Sequence, residues 1–294
     1  MQGKTDEDLP RQWYVEPDAY VGERKAIFAE AWQMLGRVDQ LSQPGSYLCA
    51  NLAGLAVFAT CDAAGTIHAL RNVCRHQGMP VLENGAGSCE RLRCRYHGWT
   101  YDLSGAFVTA PPVVAPADAG APEHHLERVG QAAWRGLLFV HPDLRAAAPA
   151  ARLDDALGEI APDRLQAAGE VTTELDCNWK VAVEQRLAEA PDLRWAWPTL
   201  IAESAPDRLL VDRVVPRSFR RTQLIRHIFL PPGHDAAAVL DRATAAAEAL
   251  KAACDAAQAA YAAGTIPQKL PDRAALKAFR VRIREAHRAA AAAG

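Results

Sequence analysis

The 294-residue chain has no apolar run long enough to cross a bilayer. Its most apolar long stretch, Leu48–Cys61, is broken by Asn51, Gly54 and Thr60 and falls short of the ~20 residues a spanning helix needs, which argues against a membrane span. An excess of either charge is also missing: 33 Lys and Arg against 35 Asp and Glu leave a net charge of −2. Composition therefore gives no drive toward nucleic acid or anionic lipid. The first ten residues, Met1 to Pro10, are acidic and carry neither the basic region nor the apolar core of a secretory signal, so a cytoplasmic protein is expected. Cysteine is sparse and odd in number, seven in all, unlike the dense even set of a small disulfide scaffold. Metal binding is the better first reading.

The length fits about two domains. Residues 18–34 place Tyr20, Ile27, Phe28 and Trp32 near helical spacing after Pro17, which predicts one amphipathic lead-in helix. From there, short apolar runs (Tyr47–Cys49, Leu55–Ala59, Ile67–Leu70, Phe107–Thr109) alternate with turn signals at 43–45, 62–65 and 102–105, the pattern of an antiparallel β domain. Trp134–Val140 reads as its closing strand, with a Pro-rich loop at 111–122 inside it and a connector at 142–149. Beyond lie a short helix near 153–160, a strand at 171–175, a helix over 179–190, paired strands at 209–215 and 222–230, and a helix capped by Asp235 and ended by Gly264. A last helix is expected from Pro271, with a frayed tail from Ala289. The division is residues 1–36 as lead-in, 37–145 as the β domain and 146–294 as an α+β domain.

Cys74-Arg-His76 and Cys94-Arg-Tyr-His97 are a Cys-x-His and a Cys-x-x-His pair on loops between predicted strands, so two hairpin tips can meet at one metal centre. Two thiolates on one iron and two neutral imidazoles on the other make a Rieske [2Fe-2S] cluster. The same four residues also satisfy structural zinc. The wider boxes, Asn72-Val-Cys-Arg-His-Gln-Gly78 and Cys94-Arg-Tyr-His-Gly-Trp-Thr-Tyr-Asp102, favour the cluster, because a glycine after each His lets backbone approach it. Trp99 and Tyr101 are expected as apolar shielding.

At these residues the sequence resembles the large (alpha) subunits of Rieske non-haem iron oxygenases of the aromatic-ring-hydroxylating type. Leu9-Pro-Arg-Gln-Trp-Tyr14, Ile27-Phe28, Trp32 to Arg37, Pro44-Gly45, Arg135 to Val140 and Asn178-Trp-Lys180 extend the likeness over most of residues 9–190. Where respiratory Rieske proteins carry an extra cysteine in each box, this chain has Met79 or its neighbours and Tyr96, which points to the lower-potential type. The resemblance implies an antiparallel β Rieske domain followed by a helix-grip-like α+β catalytic domain, a reductase or ferredoxin donor, and a trimer in which each cluster faces the next subunit's catalytic domain.

The resemblance also implies a mononuclear ferrous iron held by two His and a carboxylate, with the His pair shortly after Asn178-Trp-Lys180. No histidine occurs between His141 and His227. Without gaps the two positions fall on Asp192 and Trp197. A deletion joining Ala190 to a later strand, 195–202, accounts for both the missing ligands and the short chain, so the catalytic domain reads as truncated and mononuclear iron is not expected. His124, His125, His227 and His234 read as structural or solvated, His227 with no acidic neighbour. Glu189 matches the acidic residue that, in the family, bridges a neighbour's Rieske histidine to the mononuclear iron. It is either a relic or an ordinary exposed Glu. The basic run Lys269, Arg273, Lys277, Arg280, Arg282, Arg284, Arg288 is read as a solvated face or a dock for an acidic redox partner.

The leading expectation is a single-electron relay in a multicomponent oxygenase, within a homo- or heterotrimer containing an active large subunit. Two alternatives stand beside it: a complete terminal oxygenase that hydroxylates or demethylates a small organic substrate, and a non-catalytic subunit that stabilises an active paralogue.

Overall fold

The structure, a computed structural model, describes residues 8–158 and 160–293. The acidic residues 1–7 and the final Gly294 lie outside the described residues. The chain forms two compact units. One is Trp32–Pro149, and the other joins the N-terminal residues through Ala31 to those from Ala150 onward.

The boundaries expected at 37 and 145 therefore move outward, and the lead-in does not stand alone. Helix α1 (Gln12–Val15) and helix α2 (Pro17–Ala26) belong to the outer unit. The reason is a buried ion pair: Glu23 Oε1 accepts from Lys180 Nζ at 2.6 Å, and Glu23 Oε2 from Trp179 Nε1 at 2.7 Å. Both charged side chains are fully buried, so neither end is stable without the other. The helix expected over 18–34 stops at Ala26, and Phe28–Glu30 form one 3-10 turn. There Phe28 packs edge-on against Trp179.

The middle unit holds β1 (Gln33–Arg37), β2 (Ser46–Leu52), β3 (Leu55–Cys61), β4 (Ile67–Arg71), β5 (Gly85–Ser88), β6 (Leu92–Arg93), β7 (Thr100–Tyr101), β8 (Phe107–Thr109), β9 (Gly130–Trp134) and β10 (Leu137–His141). They form three antiparallel sheets, ordered β4-β3-β2-β5, β6-β7-β8 and β1-β10-β9. Aspartates make the turns: Asp62 Oδ1 accepts from the Ala64 and Thr66 amides, and Asp102 Oδ1 from those of Ser104 and Ala106. The closing strand expected over 134–140 is a hairpin. Arg135 (φ 47°) and Gly136 (φ 80°) are both left-handed, as a two-residue type I′ turn requires.

The outer unit continues with α3 (Ala150–Leu157), β11 (Gln166–Leu175), α4 (Trp179–Glu189), β12 (Arg194–Ala196), β13 (Leu200–Ala205), β14 (Arg208–Ser218), β15 (Arg221–Leu230), α5 (Ala236–Ala263) and α6 (Ala274–Ala293). Its five strands pair antiparallel in the order β11-β15-β14-β13-β12. Asn178 caps α4 by accepting from the Lys180 amide at 3.0 Å, and Asp235 caps α5. The single strand expected over 195–202 is a hairpin of β12 and β13, with a cis Trp197–Pro198 bond in its turn. Helix α6 starts three residues later than Pro271 and runs through Ala293 without fraying at Ala289. The fold is mixed α+β with antiparallel sheets, and no described helix is long and apolar enough to cross a membrane.

Candidate metal centre

Two loops of the middle unit repeat one backbone pattern. In the first, the Cys74 amide donates to Met79 O at 2.8 Å and the Gly78 amide to Cys74 O at 2.9 Å. In the second, Cys94 donates to Trp99 O at 2.8 Å and Gly98 to Cys94 O at 3.0 Å. Gly78 and Gly98 share left-handed φ angles of 74° and 73°, a conformation that a side chain would strain. Each turn presents one Cys and one His; the two cysteines share one core cluster and the two histidine rings meet.

Cys74 and Cys94 are buried in one core cluster. The rings of His76 and His97 meet edge to face, with centroids 4.7 Å apart. His76 Nδ1 is buried without a hydrogen-bond partner among the described residues, a costly state for a protein nitrogen unless a metal takes its lone pair. Burial pushes the Cys74 thiol up, so its thiolate needs a compensating cation. Both features fit the donor set of a two-iron cluster.

The surround is partly polar, which corrects the expectation of plain shielding. Trp99 does stack on His76 at 5.1 Å, its Nε1 donating to Val114 O at 2.9 Å. The Tyr101 hydroxyl, however, accepts from the Arg75 amide at 3.1 Å and lies 3.1 Å from Cys74 Sγ. Because that amide already supplies a donor, the hydroxyl proton is directed at the sulfur. Asn72 braces the first loop: its Oδ1 accepts from the Val81 and Leu82 amides, and its Nδ2 donates to Leu82 O. Neither contact has a local spacing signal.

Among the four histidines read as structural or solvated, His234 is exposed and the others pack within the fold. His124 packs edge-on to Trp99, and His125 Nδ1 accepts from the Phe107 amide at 2.9 Å. His234 donates its amide to Pro231 O in a turn. His227 does have an acidic neighbour, contrary to expectation: Glu170 Oε2 lies 3.1 Å from its Nδ1, because β11 and β15 pair these two residues directly.

In the outer unit, Glu189 is half-buried in a charge network. Its Oε2 accepts from Arg186 Nη1 at 3.0 Å, while Arg186 Nε and Nη2 donate to Asp212 and Glu203, each at 2.6 Å. Asp212 also accepts from Arg226 at 2.6 and 2.9 Å. Of the two positions aligned with iron histidines, Asp192 is exposed and Trp197 lies under the Arg282 guanidinium at 5.2 Å. One member of the expected basic stripe is turned inward: Arg280 donates to Glu184 at 2.6 Å and to Asp8 at 2.7 Å, whereas Lys277 pairs with Asp272 at the surface.

Residues 31–125 match the Rieske [2Fe-2S] domain family. The oxygenase subunit of glycine betaine monooxygenase from Chromohalobacter salexigens is 32% identical over 189 residues, covering 62% of this chain and 42% of the relative. Chlorobenzene dioxygenase subunit alpha from Cupriavidus sp. strain PS12 is 30% identical over 195 residues, with the same two shares. The chain thus spans under half the length of these relatives. A crystal structure of a quaternary ammonium Rieske monooxygenase superposes with a TM-score of 0.80 at 20% identity, covering 95% of both chains, a likeness of fold. Aromatic ring hydroxylation is too narrow a description of this set, which includes a glycine betaine enzyme.

Proposed function

We propose, for a chain that carries a Rieske [2Fe-2S] domain and is a homologue of Rieske oxygenase alpha subunits, that Cys74 and Cys94 bind one iron of the cluster and His76 and His97 the other, and that it works as a one-electron component of a multicomponent oxygenase. The observation that carries this reading is the edge-to-face meeting of the two imidazoles, one with an orphaned nitrogen, on two matching turns whose cysteines are both buried. When bound, the cluster supplies a one-electron acceptor and donor.

The chain's own residues set its poise and access. The Tyr101 hydroxyl, donating to Cys74 sulfur, favours the more negative reduced state and so raises the potential. Tyr101→Phe is expected to lower that potential by on the order of 60 mV, the equivalent of about one charge-assisted hydrogen bond at one electron. Redox titration of both proteins checks this, and an unchanged potential would show that the hydroxyl does not act on the cluster. His97 lies at an open depression of about 700 Å³ with Arg93, Arg95 and Tyr96, a face open to a reductase or ferredoxin. A donor near about −400 mV feeding a centre at or above about −150 mV has at least ~250 mV in hand. A solved quaternary ammonium Rieske monooxygenase gives insight into inter-subunit electron transfer. By analogy, this chain delivers its electron within a multimer, a trimer with an active large subunit being the arrangement we favour.

What supports a relay role is that no histidine lies between His141 and His227, and that Arg186, Asp212 and Arg226 form a buried charge network on α4, β14 and β15. A second reading, a complete terminal oxygenase, has the better support from the comparisons, since the relatives named are oxygenases and the fold match spans 95% of both chains. Under that reading a quaternary ammonium compound is a better candidate substrate than an arene. Iron analysis with oxygen uptake decides between them. The relay predicts two irons per chain and no substrate-dependent uptake by the protein alone with reductant and reductase. Three irons with coupled product formation would establish the terminal oxygenase instead.

A further inference from the structure

β4 and β9 are each the last strand of their sheet, and the segment just before β9 meets β4 through one bridge, Leu70–Arg128. Gln131 closes the seam: its Oε1 accepts from the Ala69 amide at 2.7 Å and its Nε2 donates to Ile67 O at 2.8 Å. A side-chain amide thus caps the β4 edge where a strand would otherwise pair. Beside this seam, the 142–149 connector leaves a groove of about 370 Å³. Its walls are apolar, formed by Trp32, Ile67, Leu144 and Ala146. Trp32 Nε1 is engaged by Ala147 O at 2.8 Å, so the ring and not its N–H faces a ligand. Leu144 is left 60% exposed.

His68 and Arg128 supply the groove's charged and polar end. His68 Nε2 lies 2.7 Å from Asp62 Oδ2, which orients Nδ1 toward Arg128 Nη2 at 3.5 Å. Arg128 makes no ion pair among the described residues, because the adjacent Glu127 turns to Arg71 at 4.0 Å. A guanidinium without a carboxylate, set at the end of an apolar groove near the lower size limit of small-molecule pockets, calls for a planar anion on an apolar body. We propose that this groove binds a small organic carboxylate. None of the four cluster residues lines it, so the proposal stands or falls separately from the cluster.

The test uses the cluster-containing protein and phenylacetate, followed by ligand-observed NMR line broadening. Binding with a Kd of about 1 mM or tighter is expected, with neutral phenylacetamide at least about tenfold weaker. Arg128→Gln should weaken phenylacetate about tenfold or more while the visible spectrum stays that of the wild type, and Leu144→Glu should weaken it by placing a like charge in the wall. No broadening at ligand concentrations of about 10 mM overturns the site. Equal binding of the amide, or undiminished binding to either variant, overturns the assignment of carboxylate to this groove.

Discussion

The Cys94→Ser protein is expected to be folded, colourless and nearly iron-free, having lost the visible absorption and the reduced-state electron paramagnetic resonance signal of a Rieske centre. The substitution is small: the turn that positions residue 94 is made by backbone bonds, Cys94 N to Trp99 O and Gly98 N to Cys94 O, which serine retains. What changes is the donor atom. A thiolate is a soft, readily ionised ligand suited to iron–sulfur chemistry, whereas a serine hydroxyl gives up its proton far less readily. Since a two-iron centre has only two protein donors per iron, loss of one leaves that iron with half of its protein ligands. Iron content should fall from two per chain to near zero. Cys254→Ser supplies the control: Cys254 is equally buried, but in α5 of the outer unit, and its replacement should leave iron and colour intact. A colourless wild-type protein with stoichiometric zinc would overturn the cluster, and an unchanged signal in His76→Ala or His97→Ala would overturn that histidine as a ligand.

The cluster was legible because its information is local. Cys-x-His and Cys-x-x-His each fix a turn, and a glycine at the left-handed position of each turn marks where backbone reverses. The β strands of the middle unit were legible for a related reason: period-two apolar runs lie between Asp-initiated turns such as 62–65 and 102–105. What escaped the sequence was set by register. Glu170 and His227 are 57 residues apart and meet only because β11 pairs with β15 in one alignment. Tyr101 reaches Cys74 across 27 residues, and nothing at either position announces the contact. The lead-in helix was assigned to no partner because the Glu23–Lys180 pair spans 157 residues. The basic stripe near the C-terminus shows the opposite error. Spacing alone made Arg280 a surface charge, yet Glu184 on α4 and Asp8 draw it inward.

Replacing Asp212 by Asn is expected to destabilise the outer unit by about 3–5 kcal/mol, the range for removing one partner of a buried ion pair. Asp212 is the only carboxylate among the described residues that bonds both Arg186 and Arg226. Those side chains are 1% and 3% exposed, so water cannot replace it. Glu189 and Glu203 stay on Arg186, which softens the loss there, while Arg226 keeps none of its ion pairs. At roughly 2–4 °C per kcal/mol for a unit of this size, Tm should fall by about 10 °C. The pH dependence follows from the same contacts. Burial alone would raise the Asp212 carboxyl, but the attraction of Arg186 and Arg226 overcomes it and holds the group below its ordinary range. A depressed carboxylate contributes its stability fully above the unfolded value near about 3.9 and loses it as pH falls through the folded value. The gap between wild type and Asp212→Asn should therefore be level from about pH 5 to 8 and narrow below about pH 4. Denaturant unfolding at these pH values measures it, and a difference under about 1 kcal/mol at neutral pH would show that the network is not held together through Asp212. A double variant, Asp212→Leu with Arg226→Met, removes the carboxylate together with the cation it would strand, while Arg186 keeps Glu189 and Glu203, and should recover most of the loss, because the penalty lies in stranding buried charge and not in lacking the pairs.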